Sequence, residues 1–219
     1  VQNIETIGSE QSKVTCLNHI KIANLFLHNG TLSGEQCSVQ NLVGYMGKIN
    51  AGILNVDTLT VKKNIRFTKS TINLMKTLQV HLDNQPSWQT NIYFTDGSTL
   101  NIPSSAKVDI TAGLTIAAAD PCTINLQGAL SIAAKTNVEI VKYAALHLTP
   151  SGRVNIDERG SLTLERDYNI QGKIEIGRMS TLYFSGTGSV ASSAVIGGSQ
   201  GHMYIQPKGN LAIASTQIT

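Results

Sequence analysis

An apolar residue, one polar residue and a second apolar residue recur along this chain, often behind a glycine. Gly52 precedes Leu54 and Val56, Gly128 precedes Leu130 and Ile132, and Gly152 precedes Val154 and Ile156. Gly160, Gly172 and Gly209 introduce Leu162/Leu164, Ile174/Ile176 and Leu211/Ile213. The doublet also recurs without glycine, at Leu100/Ile102, Val108/Ile110, Ile124/Leu126, Val138/Ile140 and Leu146/Leu148. Residues two apart point to one face of a strand, and the polar residue between them points to the other. A strand this short cannot bury its apolar face alone. Stacked copies, each leading round a Gly, Asn, Asp or Ser corner into the next, share one dry interior. A helix is a poor alternative, because apolar residues rarely fall at three-to-four spacing and each glycine inside one costs about 1 kcal/mol.

The sequence therefore predicts an all-β chain. From Leu100 to Leu164 the doublets begin about every eight residues, and three such sides make a coil of about 24. Gly128 and Gly152 would then share a corner. That suits a right-handed, three-sided parallel β-helix, a β-solenoid of roughly nine coils and about 45 Å. The same repeat also suits an intertwined trimer in which three chains feed one fibre.

Three stretches differ in rhythm. Residues 1–83 are less regular, with Leu17, Ile22, Leu27, Leu32, Cys37 and Leu42 five apart, and read as an irregular start of the same solenoid. Within them, Ser70 to Asp83 fits a strand better than a helix, because Thr71, Ile72, Thr77 and Val80 favour one. Residues 84–99 carry Pro86, Trp88, Tyr93, Phe94 and an Asp96-Gly97 turn, and read as a loop or hairpin excursion. Residues 100–219 carry the regular repeats. The stretch from Ala212 to Thr219 has no charge, proline or evident cap, which suggests further coils or an assembly partner over that end.

Composition narrows the function classes. Only 14% of the 219 residues are charged, against 41% hydrophobic, so the chain is not a disordered one. No stretch approaches the roughly 18 apolar residues of a membrane span. Seventeen basic and 14 acidic residues give a net charge of +3, too balanced to argue for nucleic acid. Cys16 and Cys37 lie 21 residues apart, close to one coil, and rungs about 4.8 Å apart bring them within disulfide reach. Buried thiols acting as small hydrophobes are the alternative, and with Cys122 the odd count leaves one unpaired. The triplet Asn29-Gly30-Thr31 is a glycosylation sequon of use only in a secretory pathway.

The run from Gly47 to Val61, with its Ile-Asn-Ala-Gly-Ile-Leu-Asn-Val-Asp-Thr-Leu core, resembles segments of bacteriophage tail-tip and tail-fibre proteins. The later glycine-led doublets resemble the shafts of fibrous surface adhesins and, somewhat, bacterial polymer-forming β-helix scaffolds. The phage resemblance implies a trimeric, host-contacting fibre. It implies no functional residues.

Chemistry-bearing patterns are few. None of His19, His28, His81, His147 and His202 lies two to five residues from another, and no CxxC pair exists, so neither a metal nor a cofactor is expected. His147, between Leu146 and Leu148, should face solvent. Asp157, Glu158, Glu165 and Asp167 stand among Arg153, Arg159 and Arg166. Paired carboxylates can hydrolyse glycosidic bonds at the right separation, but Asp157 and Glu165 fall on neighbouring sides of the coil, and the arginines suggest mutual neutralisation. Gly197-Gly198-Ser199-Gln200-Gly201 reads as a corner. The candidate binding contacts are the aromatics Trp88, Tyr93 and Phe94, since aromatic rings stack on sugars and anchor interfaces. The expected function is a non-catalytic structural or adhesive fibre module of a virion or cell surface. Its expected partners are further copies or neighbouring subunits and a surface glycan or receptor. A self-polymerising scaffold and a β-helical polysaccharide lyase or hydrolase are the alternatives.

Overall fold

A computed structural model describes residues 3–7, 12–17, 21–81, 90–205, 210–214 and 217–218. Among them there is no helix, and the strands form one parallel β-solenoid of about eight turns, roughly 22 residues apart. From Thr71 onward each described rung pairs with the rung one turn earlier in the same chain, so the coil closes within a single chain. Three columns of rungs result. The first stacks Leu54, Ile72, Leu100, Ile124, Leu146 and Tyr168. The second stacks Leu59, Leu78, Val108, Leu130, Val154, Ile174 and Ile196. The third stacks Ile65, Ile92, Ile116, Ile140, Leu164 and Phe184. The columns form the three sides, and all of these residues point into one shared core.

The regular half obeys a parity rule. From Thr90 to Ile196 every buried residue is even-numbered, Ala117 excepted. The alternation of the strands therefore runs through the corners without a slip. A left-handed residue turns several of them: Lys135, Lys142, Arg159, Met179 and Gln200 all have φ between 56° and 61°. Glycine serves other corners by close approach. A Cβ on Gly128 would lie 2.1 Å from the Ala106 carbonyl oxygen, and one on Gly172 would lie 2.3 Å from that of Gly152. Gly128, Gly152 and Gly172 precede aligned residues, Ala129, Arg153 and Lys173, and so share one corner.

Residues 21–68 build the same kind of rung, with odd corner steps up to Val61. The buried pairs Leu25/Leu27, Leu32 with Gly30, Cys37/Val39, Leu42 with Gly44, Ile49/Ala51, Leu54/Val56 and Leu59/Val61 change parity from one side to the next. The corners are so tight that Lys21–Thr68 is hydrogen-bonded as one continuous bent strand. Ile22, Leu27, Leu32, Cys37 and Leu42 of the five-residue series are buried, whereas Leu17 is exposed. Thr71–Val80 is a strand.

The excursion expected over 84–99 needs correction where it is described. Residues 84–89, including Trp88, lie outside the described residues. Thr90–Thr95 is a regular rung, in register with Asn64–Thr68 on one side and with Leu114–Ala118 on the other. Ile92 and Phe94 form a doublet of their own and go inside. The Asp96-Gly97 pair forms the corner that follows, both residues at positive φ.

Two devices reinforce the stack. Cys16 and Cys37 are joined by a disulfide, with 5.4 Å between their Cα atoms. On the first side, amides form a ladder: Asn73, Asn101 and Asn125 each donate to the asparagine one turn before, Asn55, Asn73 and Asn101 respectively, at 2.9 Å.

Candidate binding groove

The third side carries a concavity of about 620 Å³ lined by residues of four successive turns. Its floor is made by glycine. Gly30 and Gly47 lie against each other, and a Cβ on Gly47 would stand 3.1 Å from the Gly30 carbonyl oxygen and 3.2 Å from Leu27 Cβ. That Cβ would point inward at Leu27, and Gly30 is likewise the buried partner of Leu32, so it is the close-packed backbone of the two turns that floors the hollow. The walls come from strand alternation. Asn64 and Arg66 flank the inward Ile65, and Asn91 and Tyr93 flank the inward Ile92, so four polar side chains point outward on two adjacent rungs.

These four are paired in register. Asn91 Nδ2 donates to Asn64 Oδ1 at 2.9 Å. The Arg66 guanidinium lies 5.2 Å from the centre of the Tyr93 ring. Stacking on an aromatic face orients an arginine while leaving its charge available. Lys48 adds a second cation at the rim, and Asn29, at φ 71°, turns the chain beside it. Just before Asn64, Lys62 lies 5.5 Å over the Tyr45 ring. Asp57 is the one carboxylate among six cations between residues 48 and 76, and it is already engaged by Lys21 at 3.3 Å and Lys76 at 3.4 Å.

The expected aromatic trio is thus divided. Tyr93 is half-buried and lines the groove. Phe94 is a core residue, stacked on Phe67 with ring centres 5.5 Å apart and planes at 22°. It is corrected from contact to packing, because the residue after an outward Tyr93 must point inward. Trp88 lies outside the described residues. Asn64, Arg66, Lys48 and the two glycines were not anticipated, since only the coil register brings positions so far apart in sequence together.

The acidic cluster does not converge. Asp157 and Glu158 sit at the corner after Arg153–Ile156, and Glu165 and Asp167 sit at the corner after Ser161–Leu164, all exposed. A whole strand separates the two corners. Glu158 meets Arg159 at 3.8 Å, and Glu165 accepts a hydrogen bond from the Lys142 backbone N–H at 2.7 Å, bracing a corner one turn away. Arg166 lies over the Tyr143 ring at 4.4 Å rather than against a carboxylate. A second hollow of about 540 Å³ lies on the second side near Asn155, Glu175 and Gly197, where Glu175 is held by Lys173. Gly197–Gly201 turns a tight corner, where a Cβ on Gly198 would fall 1.9 Å from the Ile176 carbonyl oxygen.

Among the described residues no group of three or more His, Cys, Asp or Glu side chains could hold a metal ion. His147 is exposed on the first side, in register between Asn125 and Asn169. Cys122 is buried, and that burial pushes its thiol pKa up to about 11. Compared with protein-family models, with curated proteins and with solved structures, the chain matches none. Among the described residues no helix is long and apolar enough to cross a membrane.

Proposed function

We propose that this chain is a rigid, non-catalytic shaft or display module of an extracellular or virion fibre, which works by holding a binding surface away from its base. The observation that carries this reading is the unbroken register of three columns of rungs around one core. Such a stack transmits force along its hydrogen-bonded columns, and rungs of the first half pair directly with rungs of the second, Asn64–Thr68 with Asn91–Thr95 and Thr77–Val80 with Lys107–Ile110. At about 4.8 Å per rung, eight turns make a shaft of about 40 Å. A disulfide joining successive turns fits an oxidising, extracellular compartment. The phage-like run from Gly47 to Val61 supplies ordinary rungs, with Leu54, Val56, Leu59 and Val61 all in the core, so its pattern is the pattern of the shaft itself.

Assembly of three such shafts into one fibre belongs to the same proposal. Light scattering coupled to size exclusion, followed by small-angle X-ray scattering, tests both parts. A mass of three chains with a scattering profile that fits eight-turn solenoids is the expected result. A monomer whose profile fits one such solenoid would remove the trimer and keep the shaft. A profile that fits no eight-turn solenoid at any mass would refute the shaft.

A further inference from the structure

We infer that the groove on the third side binds an acidic saccharide, with Arg66 and Lys48 meeting its carboxylate or sulfate and the Asn64–Asn91 pair meeting its hydroxyls. The inference rests on the display role proposed above and names the ligand displayed to.

The chemistry follows from four observations. First, the hollow is polar-walled and shallow, floored by the backbone at Gly30 and Gly47, as suits a hydrated chain laid along a surface rather than an apolar molecule sunk into a pocket. Second, its cations are not neutralised. Arg66 is oriented by the Tyr93 ring, neither Arg66 nor Lys48 has an ion pair among the described residues, and the nearby Asp57 is taken by Lys21 and Lys76. Along the outward column from Asn64 and Asn91, the next carboxylate is Glu139, two turns beyond Asn91. A guanidinium fixed in direction but unpaired is suited to the two oxygens of a carboxylate or sulfate.

Third, the amide pair is half used. Asn91 Nδ2 donates to Asn64 Oδ1, which leaves the Asn64 amide N–H groups as donors at one end of the pair and the Asn91 carbonyl oxygen as an acceptor at the other. Sugar hydroxyls each donate and accept, so a saccharide laid along the groove matches both ends. Fourth, all of these groups stand on rungs of a rigid stack, so little ordering cost falls on binding.

The test uses the full chain produced in bacteria, so that the Asn29-Gly30-Thr31 sequon carries no glycan. Isothermal titration is run with a heparin hexasaccharide as the sulfated probe, an oligogalacturonate as the carboxylated probe and maltohexaose as the neutral one. Saturable binding of at least one acidic probe, and none of maltohexaose, is the expected result. Arg66→Gln should weaken it about tenfold or more, and Lys48→Gln should weaken it less. Lys173→Gln on the second side should leave it unchanged. Binding of the oligogalacturonate identifies carboxylate as a group read, and binding of heparin without it identifies sulfate.

Binding that falls equally in Lys173→Gln and Arg66→Gln would mean diffuse charge attraction and overturn the groove. So would an acidic probe that binds Arg66→Gln as well as the parent, or no binding by any probe. Circular dichroism of each variant identifies any that has not folded, and Arg66→Lys, which keeps the charge and loses the fork, then replaces Arg66→Gln. A scattering profile that fits the eight-turn solenoid beside absent binding would leave the shaft standing and remove the ligand alone.

Discussion

Asn101 and Asn73 are 28 residues apart in sequence, yet the amide of one donates to the amide of the other at 2.9 Å. Asn101 in turn accepts from Asn125. An amide suits this position because it donates toward one neighbour and accepts from the other, repeating along the stack. Asn101→Ala removes two of these bonds at a half-buried site and should cost about 1–2 kcal/mol. Asn101→Asp should cost more at neutral pH, since a carboxylate cannot donate to the Asn73 oxygen. Urea unfolding of both variants checks the order, and an Asp variant as stable as the parent would deny the ladder any part in stability.

Thr90 is a polar residue in an apolar column. It is buried, stands in register with Leu114, and its hydroxyl has no hydrogen-bond partner. Thr90→Val keeps the shape and removes the unpaired hydroxyl, so it should stabilise the protein by about 1 kcal/mol. A rise in the thermal midpoint is the expected reading, and a fall would show that the hydroxyl is satisfied in solution.

Cys122 should be inert to thiol reagents in the folded chain at neutral pH and react fully on unfolding. Its burial raises the thiol pKa from 9.0 to about 11. The fold therefore favours the protonated form, and stability from this group is present in full below pH 9 and lost as pH rises through 11. The loss should reach about 2 kcal/mol by pH 11. Urea titrations of the parent and of Cys122→Ala at pH 8 and pH 10.5 isolate it. Only the parent should show this component of the alkaline loss.

The Cys16–Cys37 disulfide closes a span of 21 residues. A loop of that size is worth about 3 kcal/mol to the folded state. Cys16→Ser, Cys37→Ser and the double variant should lose the same amount, because either change breaks one bond. In a stack where each turn touches only its neighbours, the effect should stay local. Limited proteolysis of the reduced protein should open the turns around Cys16 and Cys37 and spare those from Thr90 to Ile196. Uniform cleavage along the chain would contradict a local clip.

Much of the architecture was legible because it rests on a period of two. The doublets at Leu100/Ile102 through Ile174/Ile176 are all core pairs, and Gly128 and Gly152 share a corner as their spacing of 24 implied. The same rule, applied to Ile92/Phe94, places Phe94 inside and Tyr93 outside, but the proline, the tryptophan and the Asp-Gly turn nearby suggested a loop. The amide ladder also had a visible signature, an asparagine in the middle of the doublets at Leu54, Ile72, Leu100 and Ile124. The groove had none. Gly30, Gly47, Arg66 and Tyr93 are 17 to 27 residues apart, and the odd corner steps before residue 70 hide which turn each belongs to.

The even-numbered core from Thr90 to Ile196 behaves like a reading frame of two. Losing one residue from a rung would turn every later side chain inside out until some corner absorbed the slip, whereas losing two would only shorten a side. Length changes in this half of the molecule should therefore be tolerated in pairs, and a library of random insertions and deletions would show it as a two-residue rhythm of survival. The early turns, whose corners already step by odd numbers, have no such frame to lose.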